Sequence, residues 1–140
     1  APSGAAPPSL LDVKPALTWK ACVLSVKELP AGATIGYGAQ YTTTRPTRIA
    51  VVSAGYADGV FRRLSNCGRV RAGGRWVPML GAVSMDMTTI DVTATPGLRA
   101  GDTVELLAGG FDANDIAALA ATISYDVLCK IHPRAAWLHL

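Results

Sequence analysis

Apolar and polar residues change their rhythm along the chain, and each change marks an element. In ALTWKACVLSVKEL (16–29), Leu17, Trp19, Ala21 and Val23 recur at every second position. Cys22, Leu24 and Val26 take the other side, where Lys20 interrupts them. A period of two predicts a strand, and apolar residues on both sides predict a long one, twisted across two packing surfaces. Pro30, Ala31 and Gly32 end it in a turn. TRIAVVSAGYADG (47–59) is a β-branched run stopped by Asp58 and Gly59. RVRAGGRWVPML (69–80) reads as a hairpin about Gly73 and Gly74, which both tolerate positive φ. Pro78 assigns its second strand to an edge or a bulge.

GAVSMDMTTIDVT (81–93) alternates along its length, with Val83, Met85, Met87 and Thr89 on one face and Ser84, Asp86, Thr88 and Ile90 on the other. It predicts a further strand, and GDTVELLAGG (101–110) another between glycine turns. The period then lengthens. Ile116, Leu119, Ala120 and Ile123 recur at helical spacing in 112–123, with Asp112 placed to cap the helix. SYDVLCKI (124–131) continues as a second short helix, Pro133 stops it, and RAAWLHL (134–140) reads as a final strand. The expected fold is mostly β, an antiparallel barrel or sandwich of six or more short strands with a late helix packed on it.

At 140 residues the chain fits one domain with one core. Half the residues are hydrophobic and 16% are charged, which excludes a disordered chain. The net charge of +3 is spread out, with no basic run longer than Arg62-Arg63, so no nucleic-acid partner is expected. The three cysteines, Cys22, Cys67 and Cys129, show neither a C-x-x-C spacing nor a Cys/His metal-ligand pattern. No metal is expected, and reduced thiols point to a cytoplasmic setting. No apolar stretch approaches the ~18 residues that span a bilayer, so no membrane partner is expected. APSGAAPPSL lacks the basic and apolar regions of a signal peptide. Residues 1–12 read as a linker and 13–140 as the domain, and a domain entered through a linker is often the second half of something longer.

The polar candidates are tyrosines. In TIGYGAQY (34–41), Tyr37 lies between Gly36 and Gly38. Flanking glycines clear neighbouring side chains and free the backbone. Two readings fit: an aromatic that covers a sheet end, or a phenol that must reach something. A phenol has an unperturbed pKa near ~10 and serves as acid or base only when cations or hydrogen bonds lower it. Tyr56 before a turn fits strand capping, and Asp58 fits the turn itself. Asp86 between two methionines reads first as a carboxylate on the polar face of a half-exposed sheet and only second as a site residue. Met85 and Met87, on one strand face, read as core packing before ligand contact. His132 and His139 stand apart from acidic or cysteine clusters. No P-loop, nucleophile elbow or dinucleotide fingerprint is present.

The fragments GYGAQY, RPTRIAVVSAGYADG, RRLSN, GAVSMDM and TISYDVLCKIHPR, in that order, resemble the C-terminal domain of alanine racemase from about Val13 to Arg134. Each fragment alone is weak; five in order at the right separations are specific. The resemblance implies a homodimer that interconverts L- and D-alanine for cell-wall precursor supply. Each subunit of that family has an N-terminal α/β barrel carrying pyridoxal 5'-phosphate on a lysine. The C-terminal β domain of one subunit closes over the barrel of the other. A tyrosine from it serves as the second acid/base, opposite the lysine, and that tyrosine matches Tyr37.

Racemisation needs a proton donor on each face of a planar centre, and the cofactor supplies the electron sink. By the same resemblance Tyr56 and Tyr125 lie near the cofactor phosphate and the entrance. Met85 falls where a backbone amide faces the substrate carboxylate. Arg62, Asp86 and Ile123 fall along the entrance corridor. Ala82 stands where the family often carries arginine, which removes one corridor charge. The barrel and its lysine have no counterpart in this chain, and Lys14, Lys20, Lys27 and Lys130 lack a barrel-like context. The chain is therefore expected to be inactive alone and to work with the barrel domain, a small amino-acid substrate and a second subunit. Two alternatives stay open: a racemase-like module used for dimerisation or ligand binding, and a serine or broad-specificity racemase.

Overall fold

The computed structural model describes residues 16–36, 38–131 and 135–136. The linker expected over 1–12, the last strand over most of 134–140, Tyr37, His132 and His139 lie outside the described residues.

β1 (Trp19–Leu29) organises the fold. Its first half pairs antiparallel with β8 (Thr103–Leu107), from Trp19 opposite Leu107 to Cys22 opposite Thr103. Its second half pairs antiparallel with β4 (Thr47–Val52), ending at Leu29 opposite Thr47. The pairing with β4 starts at Val23 opposite Val52 and carries a register shift between Val23 and Ser25, just beyond the β8-paired residues. An extra residue there bends and twists the strand. It explains why the apolar phase changes within 16–29: Trp19, Ala21 and Val23 point inward before the bulge and Val26 after it, Leu29 packs on a second, smaller core, and Leu24 is left half exposed.

β5 (Arg69–Ala72) and β6 (Arg75–Pro78) form the hairpin about Gly73 and Gly74, and β7 (Thr88–Asp91) pairs with β4. The six-stranded antiparallel sheet runs β6-β5-β8-β1-β4-β7. Pro78 does sit in an end strand. The two ends then meet. Met79 bridges Ile90, and the Leu80 N–H donates to the Thr89 carbonyl at 2.9 Å. The result is a nearly closed barrel, which removes open sheet edges. Inside lie Val23, Val52, Val70, Ile90, Val92, Val104 and Phe111, each essentially fully buried. Burial of side chains of this size stabilises by about 1.5–3 kcal/mol apiece before conformational entropy is charged against it.

A two-stranded ribbon of β2 (Thr34–Ile35) and β3 (Tyr41–Thr42) stands beside the barrel. Ile35, Ile49 and Leu80, with Leu29 and Tyr41 packed on them, form a small second core that ties it down. Buried Thr43 closes its base: the hydroxyl donates to the Pro30 carbonyl at 2.7 Å and accepts from the Ala33 N–H at 2.9 Å.

Two helices follow: the late helix over 113–120 and the second short one expected over 124–131. Asp112 caps α1 (Ala113–Ala120) as expected, accepting from the Asn114 and Asp115 N–H groups, while Asp115 accepts from the Asp112 N–H at 2.8 Å. This reciprocal pair satisfies donors that a helix start leaves open. α1 buries Ile116, Ala117 and Ala120, but Leu119 is turned outward. The helical rhythm ends at Ala121, whose φ of 57° breaks the helix. Ile123 therefore precedes α2 (Ser124–Lys130) and does not extend the α1 stripe.

The strand expected over 81–93 is shorter, with regular pairing from Thr88 to Asp91. Ser84 causes the difference. Its hydroxyl donates to the Met87 carbonyl at 2.9 Å and accepts from the Met87 N–H at 3.1 Å, and its own N–H donates to that carbonyl at 3.0 Å. A serine that satisfies the backbone locally competes with a strand ladder. The alternation of 81–87 thus belongs to a turn. Met85 and Met87 are 53% and 45% exposed, which overturns their reading as core residues.

Candidate active site

Tyr56 and Asp58 bound a single 3-10 turn after β4. Asp58 holds it, its carboxylate accepting from the Gly55 N–H at 3.0 Å. The Tyr56 N–H donates to the Ser84 carbonyl and the Ala57 N–H to the Met85 carbonyl, both at 2.9 Å. The backbones come this close because Gly55 has no Cβ: one placed there would stand 2.2 Å from the Ser84 oxygen and 2.4 Å from the Met85 oxygen. At the other end a Cβ on Gly59 would stand 2.4 Å from the Lys130 oxygen. The motif GYADG is therefore a joint. It seats the 81–87 loop through its first glycine and the end of α2 through its last.

A second 3-10 turn, Arg62–Leu64, buries Leu64 and leaves Arg62 outside. The Arg62 guanidinium carbon lies 5.7 Å from the Tyr56 ring centre, within cation–π range. The structure thus brings together Tyr56, Arg62 and Met85 with its neighbour Asp86. Tyr56 is not a buried strand cap, being 43% exposed. Tyr125 and Ile123 lie at the start of α2, 74% and 51% exposed. They reach the same joint only through α2, whose far end packs on Gly59.

Tyr37 lies outside the described residues, but its frame is described. Gly36, Gly38 and Ala39 all have left-handed backbones, with φ of 84°, 75° and 52°. β2 and β3 hold both ends of this loop. Two residues that the sequence did not single out by role secure its surroundings. The Ser65 hydroxyl accepts from the Val83 N–H at 2.9 Å. Asn66 accepts from the Gly81 N–H at 2.6 Å and donates to the Gln40 carbonyl at 3.1 Å. They occur in RRLSN, where the one local signal is the tolerance of Asn for a left-handed backbone.

The side chains that could meet a ligand stand on loops and a helix start, outside the barrel core. Such an arrangement defines the class of the domain, a nearly closed β barrel with its candidate residues on the rim. The chain belongs to a known family: residues 16–138 match the family model described as alanine racemase, C-terminal domain. An alanine racemase from Halothermothrix orenii is 45% identical over 128 residues, covering 89% of this chain and 34% of that protein. The biosynthetic alanine racemase from Pseudomonas aeruginosa superposes with a TM-score of 0.81 at 40% identity, over 86% of this chain and 34% of that one. The alanine racemase from Bartonella henselae, solved with covalently bound pyridoxal phosphate, gives 0.80 at 34% identity, over 84% and 33%. The chain thus spans about a third of the length of the relatives it matches.

Among the described residues no helix is long and apolar enough to cross a membrane. Cys22, Cys67 and Cys129 are free thiols, and all three are exposed.

Proposed function

We propose that this chain works as the C-terminal domain of a cytoplasmic alanine racemase, closing the active site of a partner subunit's N-terminal barrel in a homodimer that supplies D-alanine for cell-wall precursors. The carrying observation is the family match over residues 16–138, joined to relatives about three times as long that bear that name. The exposed side chains agree with it. Tyr56, Met85, Ile123 and Tyr125 are all exposed in this chain and so are open to contact with another domain.

The donor chemistry also fits the edge of a phosphorylated cofactor. The phenols of Tyr56 and Tyr125 donate hydrogen bonds, and Arg62 adds a positive charge beside Tyr56. Pyridoxal phosphate, when bound, would supply the electron sink that acidifies the substrate α-carbon. The chain's own tasks are narrower. Tyr56 and Tyr125 hold and screen the phosphate end. The 84–87 turn presents the Met85 backbone amide toward the substrate carboxylate. Arg62, Asp86 and Ile123 line the entrance and limit water. Tyr37 takes or returns the α-proton at its phenolic oxygen, on the face opposite the barrel lysine. Cations from the barrel side lower its pKa into a useful range.

The test is Tyr37→Phe in the two-domain enzyme. A positioned acid/base contributes roughly 10²–10⁴-fold, so kcat should fall by that order with KM little changed. The equilibrium constant between enantiomers is one, so kcat/KM must fall equally in both directions. The substrate α-deuterium isotope effect should nonetheless grow mainly in the direction where Tyr37 removes the proton. Near-native kcat in both directions would reject this role.

A further inference from the structure

We infer that Asn66 is a positioning residue: its side chain sets the spacing between the ribbon loop that contains Tyr37 and the turn that contains Met85. This rests on the assignment of both loops to the racemase site. Asn66 has a left-handed backbone, φ 61°, which turns its amide toward two segments distant in sequence. The amide nitrogen donates to the Gln40 carbonyl at 3.1 Å, and the amide oxygen accepts from the Gly81 N–H at 2.6 Å. Both partners are backbone atoms of fixed polarity, so the amide can sit only one way round. An aspartate could not donate, and a serine could not span the gap.

The geometry around this clasp is close-fitting. Gly36 and Gly81 lie back to back, both left-handed, with φ of 84° and 75°. A Cβ on Gly36 would stand 2.7 Å from the Ala82 nitrogen, and one on Gly81 would stand 2.8 Å from the Ile35 oxygen. The neighbouring Ser65 hydroxyl receives the Val83 N–H, so residues 65 and 66 together hold the start of the 81–87 turn. The far side depends on less: the Asn66 amide is the side-chain hydrogen bond that ties Gln40 to this turn. An asparagine that served only its own left-handed turn would need neither long-range bond.

Asn66→Asp separates the two halves of the clasp. It keeps the left-handed preference and the acceptor for Gly81, and it replaces the donor to Gln40 with an oxygen. In the full-length protein, hydrogen exchange over residues 36–40 should quicken about five- to tenfold, the scale of one ordinary hydrogen bond. Exchange at 81–83 and in β1 and β4 should not change. The racemase kcat should fall about tenfold with KM within about twofold. The α-deuterium isotope effect should rise in one direction only, which a smaller folded fraction would not produce. Asn66→Gly keeps the turn and removes both bonds, so exchange should quicken in both loops. Unchanged exchange at 36–40 in both variants would overturn the clasp. Quicker exchange with unaltered kcat and isotope effects would overturn its positioning role. The exchange result is independent of whether Tyr37→Phe inactivates the enzyme, so failure of the clasp and failure of the racemase assignment are told apart.

Discussion

The barrel interior and the loop rim are stabilised by different means. Inside, Val23, Val52, Ile90, Val104 and Phe111 bury apolar surface, and the strands are specified by which residues face inward. At the rim, buried Ile35, Val60, Leu64, Leu80 and Val83 anchor the loops from beneath. Position there is set by backbone touching backbone at Gly55, Gly59, Gly36 and Gly81, and by short side chains that bond distant backbone groups. Interior residues should therefore govern stability, and rim residues should govern where the ligand-facing side chains sit.

Substitutions on each side can break that division. The largest stability loss should follow Ile90→Ala, at a fully buried site facing the barrel seam. A cavity of that kind costs about 2–5 kcal/mol, readable as a lower urea midpoint. If the cost is under about 1 kcal/mol, the seam is not closed in solution. Next is Gly55→Ala. Its Cβ meets two carbonyl oxygens and cannot be relieved by a rotamer change. Overpacking of this sort costs about 1–3 kcal/mol, and in the two-domain enzyme it should weaken substrate binding by displacing the 84–86 turn. A substitution that lowers stability yet leaves KM unchanged would detach that turn from substrate. The smallest effect on stability should come from Tyr125→Ala, within about 0.5 kcal/mol because the side chain is 74% exposed. The same change should still impair cofactor retention in the two-domain enzyme, measured by dialysis. A clear stability loss in this chain would instead make Tyr125 part of the domain's own packing.

The same division decides what could be read from sequence. β1, β4, the β5–β6 hairpin, β8 and the Asp112-capped helix were legible, because burial on one face imposes a period on the chain. Even the doubled apolar face of 16–29 carried information: it is the trace of the register shift within β1. The β2–β3 ribbon was not legible, since two residues per strand are too few to show a period. GAVSMDM misled for a related reason. Its alternation is real, but Ser84 folds it into a turn and exposes the methionines. The resemblance picked out Tyr56, Arg62, Met85 and Asp86, and the structure gathers them about one joint. It could not show that joint, because a close approach made by glycines leaves no chemical sign in the residues that benefit.

β1 also has a consequence for how the chain comes together. Its second half meets β4, with Leu29 opposite Thr47, a loop of modest length. Its first half meets β8, with Trp19 opposite Leu107 across most of the chain. Contacts that far apart carry a large closure entropy and form slowly. During synthesis from the N-terminus, residues 19–22 wait for β8 with their hydrogen-bonding edge open. The division of β1 between a near partner and a distant one thus splits assembly into an early half and a late half. It also marks residues 19–22 as the stretch that a chaperone, or a second nascent chain, would find unpaired.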